Sequence, residues 1–234
     1  MSYYPVFLNL KGRNVLVVGG GAVALRKVRT LLEAGAVITV ASPELCDGLA
    51  AYRDSGEIEC MERPFRHDDI TDDIWLIVAA TDNPAVQKEI AETAERRKIF
   101  CNVVDHPELS SFIVPSSLRK GDITISISTG GQSPAVAKLA RKELDEFFDH
   151  RWMLLLEIAS RLRKMVLSSN LDSEEKHERC KKIGNPDVLG WMDSGDREMI
   201  EKWIDALMEG ISSGRTASLE NEIFDLLEMS SQDK

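Results

Sequence analysis

Three small residues at a fixed spacing, Gly19, Gly21 and Ala24, directly follow an apolar run. In the G-x-G-x-x-G/A pattern the first glycine permits a tight turn, the second lets a pyrophosphate approach the backbone, and the last small residue lets a helix pack on a strand. Amides at the start of that helix donate hydrogen bonds to the phosphates. The predicted contacts to a dinucleotide are therefore the consecutive residues Gly19, Gly20, Gly21, Ala22, Val23 and Ala24.

The residues around this turn form the strand, helix and strand that the pattern requires. Residues 14–18 predict a buried strand, 22–33 an amphipathic helix that Gly35 closes, and 36–40 a second strand. The acidic residue that holds the adenosine ribose in such sites, about 20 positions beyond the glycines, is missing. Ser42 offers a hydroxyl there instead, and no arginine is present to receive a 2′-phosphate. The sequence therefore favours NAD over NADP.

The alternation of strand and helix continues beyond this unit. Strands are predicted at 57–62, 74–80 and 99–104, with a helix at 86–97. This order predicts a Rossmann-like α/β fold with a doubly wound parallel sheet. Ligands of such sheets lie outside the carboxyl ends of the strands, so the residues that follow each strand are candidates for a binding site.

Polar residues follow the strand at 74–80. Thr81 and Asp82 are predicted to contact the cofactor. The alternative is that, together with Asn83, they cap the helix that begins at Pro84. One set of side chains can serve both purposes.

Asp105 follows the strand at 99–104. A carboxylate at this edge of the sheet can exchange protons with a substrate or approach a metal ion, so Asp105 is the predicted catalytic residue and a candidate metal ligand. The alternative is a turn-forming residue close to Pro107. The neighbouring His106 is a weaker candidate for proton transfer, because a histidine in a loop is more often solvated.

A different pattern begins after residue 110. Residues 111–115 and 122–128 predict an antiparallel hairpin without a crossover helix, followed by a helix over 135–148. A second glycine-rich turn leads into that helix, and its amides and nearby cations suit a ligand carboxylate. The alternatives are an ordinary helix start with surface charges, or a carboxylate pocket at Arg119 and Lys120. The predicted substrate contacts are Ser128, Thr129, Gly130, Gly131, Lys138 and Arg141.

Composition narrows the class of protein. The chain has 234 residues and a net charge of -10, which argues against nucleic acid as a partner. No apolar stretch is long enough to cross a membrane and no signal peptide is present at the start, so we expect a cytoplasmic protein without a membrane partner. The four cysteines form no C-x-x-C pair and are predicted to be free, buried thiols.

Three parts are predicted: a dinucleotide-binding domain at 1–110, a small α+β subdomain at 111–150 and a helical region at 151–234. In the helical region the apolar residues recur at helical spacing and are predicted to form a core. Residues 170–178 and 184–196 are polar or rich in turn residues and are predicted to be connectors. The last five residues, 230–234, are predicted to be a frayed tail.

Six motifs in this order resemble the precorrin-2 dehydrogenase and sirohydrochlorin ferrochelatase family of sirohaem synthesis, in its stand-alone form. The resemblance extends from residue 3 to about residue 150 and is far more specific than a glycine pattern alone. The motifs are Tyr4–Leu8, Val17–Ala24, Ala79–Asp82, Phe100–Asp105, Ser111–Pro115 and Ser128–Pro134.

The resemblance implies that NAD accepts a hydride from the tetrapyrrole precorrin-2 to give sirohydrochlorin. In bifunctional members Fe2+ is then inserted, and Asp105 corresponds to the aspartate implicated in both steps. It also implies a homodimer formed through the middle subdomain. Two alternatives remain: a chelatase with a vestigial nucleotide pocket, and an NAD-sensing regulatory module without catalysis.

Overall fold

The computed structural model describes residues 3–211 and Ile223, and these residues belong to two compact units, Met1–Val114 and Pro115–Lys234. Residues 212–222 and 224–234 lie outside the described part, and so does the predicted frayed tail.

The first unit is built on a five-stranded sheet in the order β3-β2-β1-β4-β5, in which every pair is parallel. This confirms the predicted Rossmann-like sheet. The strands are β1 Asn14–Val18, β2 Val37–Ala41, β3 Glu59–Met61, β4 Ile74–Ala79 and β5 Phe100–Val103. The helices are α1 Ala22–Glu33, α2 Asp47–Asp54 and α3 Pro84–Arg97, of which α2 adds to the predicted elements.

The central strands β1 and β4 are buried on both faces. On β1, Val15 and Val17 pack with Val28 of α1, whereas Leu16 packs with Ile90 of α3. Successive strand residues point to opposite faces, so a continuous apolar run fills two cores, one under the helices of each layer. The strand β3 is shorter than predicted, because only its residues 59–61 pair with β2.

A buried ion pair fixes the loop between β3 and β4. The Asp69 carboxylate accepts hydrogen bonds from Arg63 Nη1 at 2.9 Å, from Arg63 Nη2 at 2.6 Å and from the Arg66 amide at 2.8 Å. Burial by itself would raise the pKa of Asp69, but these hydrogen bonds outweigh burial and hold the pKa below its usual value. The ionised carboxylate is therefore the form that the fold stabilises.

We expect Asp69→Asn to destabilise the first unit by about 1.5 kcal/mol, since hydrogen bonds to a charged group contribute about 1.5–3 kcal/mol each and Arg63 stays partly in water. The contribution is present above the unfolded pKa of about 3.9 and is lost as the pH falls through the lower folded pKa. Native-state hydrogen exchange of the β1–β5 amides measures it. Asp72→Asn is the control, because that side chain is fully exposed; an equal loss in both variants would contradict the assignment.

The second unit begins with a two-stranded antiparallel sheet, formed by β6 Ser116–Lys120 and β7 Ile123–Ile127. The predicted first strand at 111–115 is wrong. Those residues lie against β5 instead: the Ser111 amide donates to the Cys101 carbonyl at 2.8 Å, and the Asn102 side chain donates to the Phe112 carbonyl at 3.1 Å. A turn at Gly121, which has a φ of +55°, joins the two strands.

Five helices follow among the described residues of the second unit: α4 Pro134–Phe147, α5 His150–Ser168, α6 Ser173–Ile183, α7 Val188–Ser194 and α8 Arg197–Met208. The prediction that 170–178 and 184–196 are only connectors is wrong. Asp172 accepts hydrogen bonds from two amides at the start of α6, and Gly195, with a φ of +67°, ends α7. The helix α6 is polar along most of its length and α7 has only seven residues, so neither shows a clear apolar periodicity.

The predicted core of the helical region is confirmed. Ile158, Leu162 and Val166 of α5 are buried against Ile204 and Leu207 of α8. In the part of the chain that the structure describes, no helix is long and apolar enough to cross a membrane. All four cysteines are free thiols as predicted, although only Cys101 is fully buried, and burial raises its pKa to about 12.

Candidate active site

A cavity of about 720 Å³ opens at the carboxyl ends of β1, β2 and β4. Three segments line it: the glycine turn before α1, the loop after β2 and the loop after β4. Its residues are Gly19–Val23, Ser42–Cys46 and Ala80–Asn83. Of the predicted cofactor residues, all but Ala24 lie in this wall. Ala24 is fully buried, where a small side chain lets α1 pack closely on the sheet.

The three glycines have different functions. A Cβ on Gly19, whose φ is +121°, would lie 2.2 Å from the Ala80 carbonyl oxygen, and a Cβ on Gly20 would lie 1.9 Å from that of Glu44. Glycine is therefore required at both positions, because any side chain would collide with the backbone of the protein itself. A Cβ on Gly21 would meet nothing within 4 Å, so this position faces open space in the cavity.

The amino end of α1 also faces this cavity, because Gly21, Ala22 and Val23 line it. Gly21 occupies the N-cap position and no side chain caps the helix. By contrast, Asn83 caps α3 by accepting hydrogen bonds from the Ala85 amide at 3.0 Å and the Val86 amide at 3.3 Å. Uncapped amides beside open space fit a pyrophosphate, so these residues suit a nicotinamide dinucleotide.

Ser42 lies in the wall of the cavity, but its hydroxyl is engaged inside the protein. It is 6% exposed, and Oγ donates to the Glu44 carbonyl at 2.7 Å. Glu44 itself is exposed and lines the cavity, so it brings an acidic residue to this wall. The sequence analysis missed it because Glu44 lies a few residues beyond the expected position, in a loop that folds back onto Gly20.

A smaller cavity of about 240 Å³ shares part of this wall and brings Asp105 to the same edge of the sheet. Val23, Ala80, Thr81 and Asp82 line both cavities. The remaining residues of the smaller cavity are Pro84, Gln87, Val104, Asp105 and His106. The structure therefore places the predicted cofactor residues Thr81 and Asp82 between the glycine turn and the predicted catalytic residue.

Gln87 is a second residue that the sequence analysis missed. Its side chain is buried, and Nε2 donates to the Thr81 carbonyl at 2.6 Å, which fixes the wall shared by the two cavities. The available signal was a single glutamine on the inner face of a predicted helix. The capping alternative considered for this loop applies to Asn83, whose side chain caps α3, and not to Thr81 or Asp82.

Asp105 has a φ of +62°, a left-handed conformation that is uncommon for any residue except glycine but more accessible to Asp and Asn. Hydrogen bonds on either side hold it there: the Val104 amide donates to Ala79 at 2.9 Å and the His106 amide to Val103 at 3.1 Å. His106 Nδ1 lies 2.8 Å from Glu108 Oε1, and this contact holds the pKa of Glu108 below its usual value.

The predicted substrate loop of the second unit uses many of its polar groups internally. Ser128 Oγ accepts from the Gly130 amide at 3.1 Å, and Thr129 Oγ1 accepts from the Ser133 amide at 3.2 Å. Gly131 is exposed, and a Cβ there would meet nothing within 4 Å. Fewer amides remain for a ligand carboxylate than the sequence indicates.

The cations of this region differ in their surroundings. Lys138 is exposed and Arg141 is half-buried. Lys120, an alternative candidate, forms an ion pair with Asp145 at 2.8 Å, and this contact lowers the pKa of Asp145. Lys138 and Arg141 are therefore better placed than Lys120 to receive an external anion. Among the described residues, no group of three His, Cys, Asp or Glu side chains is arranged to hold a metal ion.

Comparison with known proteins identifies two matching regions in the chain. Residues 6–116 match the model of an NAD(P)-binding family, and residues 120–146 match the model of the central region of sirohaem biosynthesis proteins. Over 183 residues the chain is 38% identical to the sirohaem synthase of Salmonella arizonae and 37% identical to that of Escherichia coli. Each match covers 78% of this chain and 40% of the relative, so the chain spans less than half the length of these curated relatives.

A solved structure described as SirC, precorrin-2 dehydrogenase, has the same fold. It superposes with a TM-score of 0.70 and 24% sequence identity, and the match covers 95% of this chain and 100% of that one. The first matched region contains the glycine turn and Asp105, and the second contains β7 and most of α4. The chain is therefore similar to sirohaem biosynthesis proteins, with an NAD(P)-binding region followed by their central region.

Proposed function

We propose that the protein is an NAD-dependent dehydrogenase that oxidises precorrin-2 to sirohydrochlorin. The observation that carries this proposal is the wall common to the two cavities, which joins an open glycine turn to the carboxylate of Asp105. The names of the relatives and of the structural neighbour support the same reaction. An NAD sensor has no need for a carboxylate beside the cofactor cavity, and a chelatase alone has no need for the open space at Gly21.

The chain's own residues bind and orient the two ligands in this proposal. The amides from Gly21 to Ala24 hold the pyrophosphate, and Thr81 and Asp82 lie along the shared wall. When bound, NAD supplies a hydride acceptor. Loss of a hydride from the substrate leaves one proton to be removed, and Asp105 is the base that we assign to it.

Iron insertion is the second activity that the family resemblance implies, with Fe2+ as a substrate. Two pyrrole protons must leave while the metal enters, and a carboxylate at Asp105 both accepts a proton and attracts a cation. We propose Asp105 as the residue for this step. Chelation assays of separate Asp105 and His106 variants distinguish its role from that of His106.

We expect Glu44→Arg to reverse the cofactor preference. A carboxylate at the ribose end favours the 2′-hydroxyl of NAD and repels the 2′-phosphate of NADP, whereas an arginine attracts that phosphate. The ratio of the two dissociation constants, measured by calorimetry without substrate, should change by about tenfold or more, since a charge-assisted contact of about 1.5 kcal/mol is gained. Glu57→Arg is the control on an exposed residue away from both cavities. An unchanged ratio would place the ribose elsewhere.

We expect Lys138→Glu combined with Arg141→Glu to raise the KM for precorrin-2 by about tenfold or more, because the substrate carries acetate and propionate groups and two attractive charges become repulsive. The affinity for NAD should not change. Arg163→Glu combined with Lys164→Glu, on exposed positions of α5, changes the net charge by the same amount and is the control. An unchanged KM would move the carboxylate pocket to Arg119 and Lys120.

The three-part division at residues 110 and 150 and a homodimer formed through the second part belong to the same proposal. Exposed apolar side chains on α4 support the dimer: Val136 is 55% exposed, Leu139 58% and Phe147 59%. Apolar surface of this extent is typical of a protein interface. Sedimentation at micromolar concentration measures the oligomeric state, and a monomer would contradict the dimer.

The cytoplasmic location and the absence of nucleic-acid and membrane partners stay predictions.

The test of the proposed function is anaerobic mixing of the protein, NAD and precorrin-2, followed by absorption spectroscopy. Formation of NADH together with sirohydrochlorin is expected. A second reaction with sirohydrochlorin and Fe2+ measures chelation separately. Chelation without dehydrogenation would identify a chelatase alone, and NAD binding without either reaction would identify a sensor.

A further inference from the structure

The two cavities have few positive charges for the ligands that they are proposed to hold. No lysine or arginine is among the residues that line either cavity, and the lining includes the acidic side chains Glu44, Asp82 and Asp105. A dinucleotide carries phosphates and the proposed substrate carries carboxylates. A compensating cation is therefore needed close to these walls.

Lys27 of α1 is in the right place to supply this charge. It lies one helical turn after Val23, a residue that lines both cavities, so the two side chains share one face of the helix. Side chains of a helix lean toward its amino end. The long side chain of Lys27 therefore extends back along Val23, in the direction of the cavities.

The surroundings of Lys27 differ from those of an ordinary surface lysine. The residue is half-buried between the fully buried Ala24 and Val28. Burial lowers the pKa of Lys27, the adjacent Arg26 adds to this effect, and the charge of Asp105 acts in the opposite direction. The carboxylate of Asp105 therefore favours the charged form of Lys27.

The Lys27 ammonium is also free to bind an external anion. Among residues 3–211 and Ile223, no carboxylate lies within 4.0 Å of it and no hydrogen bond to it is formed, so the Asp105 carboxylate influences it without pairing with it. A partly desolvated cation without a bonded partner binds an anion more strongly than an exposed one does.

We propose that the Lys27 ammonium, just behind the wall of the smaller cavity at Val23, binds a carboxylate of the tetrapyrrole beside Asp105 and so acts as a substrate-binding residue. This inference rests on the proposed function. The bound carboxylate balances the charge of Lys27, and Lys27 offsets the repulsion between the polyanionic substrate and the Asp82 and Asp105 carboxylates. The substrate is then held with its reacting edge toward the proton-accepting group.

The test compares Lys27→Met with Arg26→Met. Methionine keeps an unbranched apolar side chain as far as the ε position and removes the ammonium group. Arg26 is the adjacent, exposed position on α1 and loses the same charge on another face. We expect Lys27→Met to raise the KM for precorrin-2 by about tenfold with kcat changed by less than about twofold, since a charge-assisted contact in the ground state is lost. Arg26→Met should have the KM of the unmodified protein. Lys27→Arg, which keeps the charge, should have a KM close to that of the unmodified protein.

A binding measurement separates this inference from the proposed reaction. Uroporphyrin III carries the same acetate and propionate groups and is not a substrate for dehydrogenation, so its dissociation constant is measured by fluorescence in the same variants. About tenfold weaker binding to Lys27→Met alone supports the inference even if the protein has no dehydrogenase activity. Equal binding to Lys27→Met and Arg26→Met overturns it. Weaker NAD binding with unchanged uroporphyrin binding also overturns it and assigns Lys27 to the pyrophosphate.

Discussion

Gly21→Asp is expected to abolish dehydrogenation by preventing NAD from binding. The new side chain extends into open cavity, since a Cβ at this position meets no atom within 4 Å. It also places a negative charge where the amides of α1 are proposed to receive phosphates. An unpaired charge in such a site costs at least about 2 kcal/mol, which corresponds to a dissociation constant about 30-fold higher. Calorimetry with NAD measures the loss directly.

Two other glycines make the result interpretable. Gly190→Asp, in α7, introduces the same side chain where a Cβ also meets nothing within 4 Å, and it should leave NAD binding unchanged. Gly19→Ala should instead disturb folding of the first unit, because its Cβ would lie 2.2 Å from the Ala80 carbonyl oxygen. Normal NAD affinity in Gly21→Asp would move the pyrophosphate away from the glycine turn.

Asp105→Asn is expected to lower kcat for dehydrogenation by about 100-fold or more, the range in which loss of a general base falls. NAD should bind as before, because the glycine turn is untouched. Asparagine is a better test than alanine, since it keeps the side-chain shape and accepts the left-handed backbone at a φ of +62°, which alanine adopts only at a cost of about 1 kcal/mol. Stopped-flow absorption of NADH measures the rate.

The chelation step is assayed in the same variant with sirohydrochlorin and Fe2+. We expect it to be lost in Asp105→Asn and largely retained in His106→Ala, whose imidazole is already bonded to Glu108. Asp72→Asn, an exposed carboxylate far from this site in the fold, is the control. Full activity of Asp105→Asn in both steps would remove this residue from the mechanism.

Much of the first unit was predictable because its signals are local. A buried parallel strand, a glycine turn and a helix each leave a pattern within a few residues, and those patterns gave the right positions for β1, α1 and Asp105. The predicted hairpin was right for its second strand and wrong for its first. Residues 111–115 have strand composition, but their partners are on β5, about ten residues earlier in the chain, and no local pattern shows that pairing.

The remaining site residues depend on contacts distant in sequence. Glu44 enters the cavity because Ser42 and Gly20 hold its backbone, and Gln87 matters because it binds the Thr81 carbonyl. In the sequence Lys27 is indistinguishable from the other charged residues of its helix. Only the structure shows that the charge of Asp105 acts on it. In each case the residue type was visible in the sequence, and only the fold showed what it faces.

The wall common to the two cavities has a thermodynamic consequence. Val23, Ala80, Thr81 and Asp82 border both spaces, so a ligand that displaces or orders these residues in one space changes the free energy of binding in the other. Such a coupling is reciprocal: if the dinucleotide tightens binding of the macrocycle by some factor, the macrocycle tightens binding of the dinucleotide by the same factor. The same few side chains therefore carry the coupling in both directions, whichever ligand binds first.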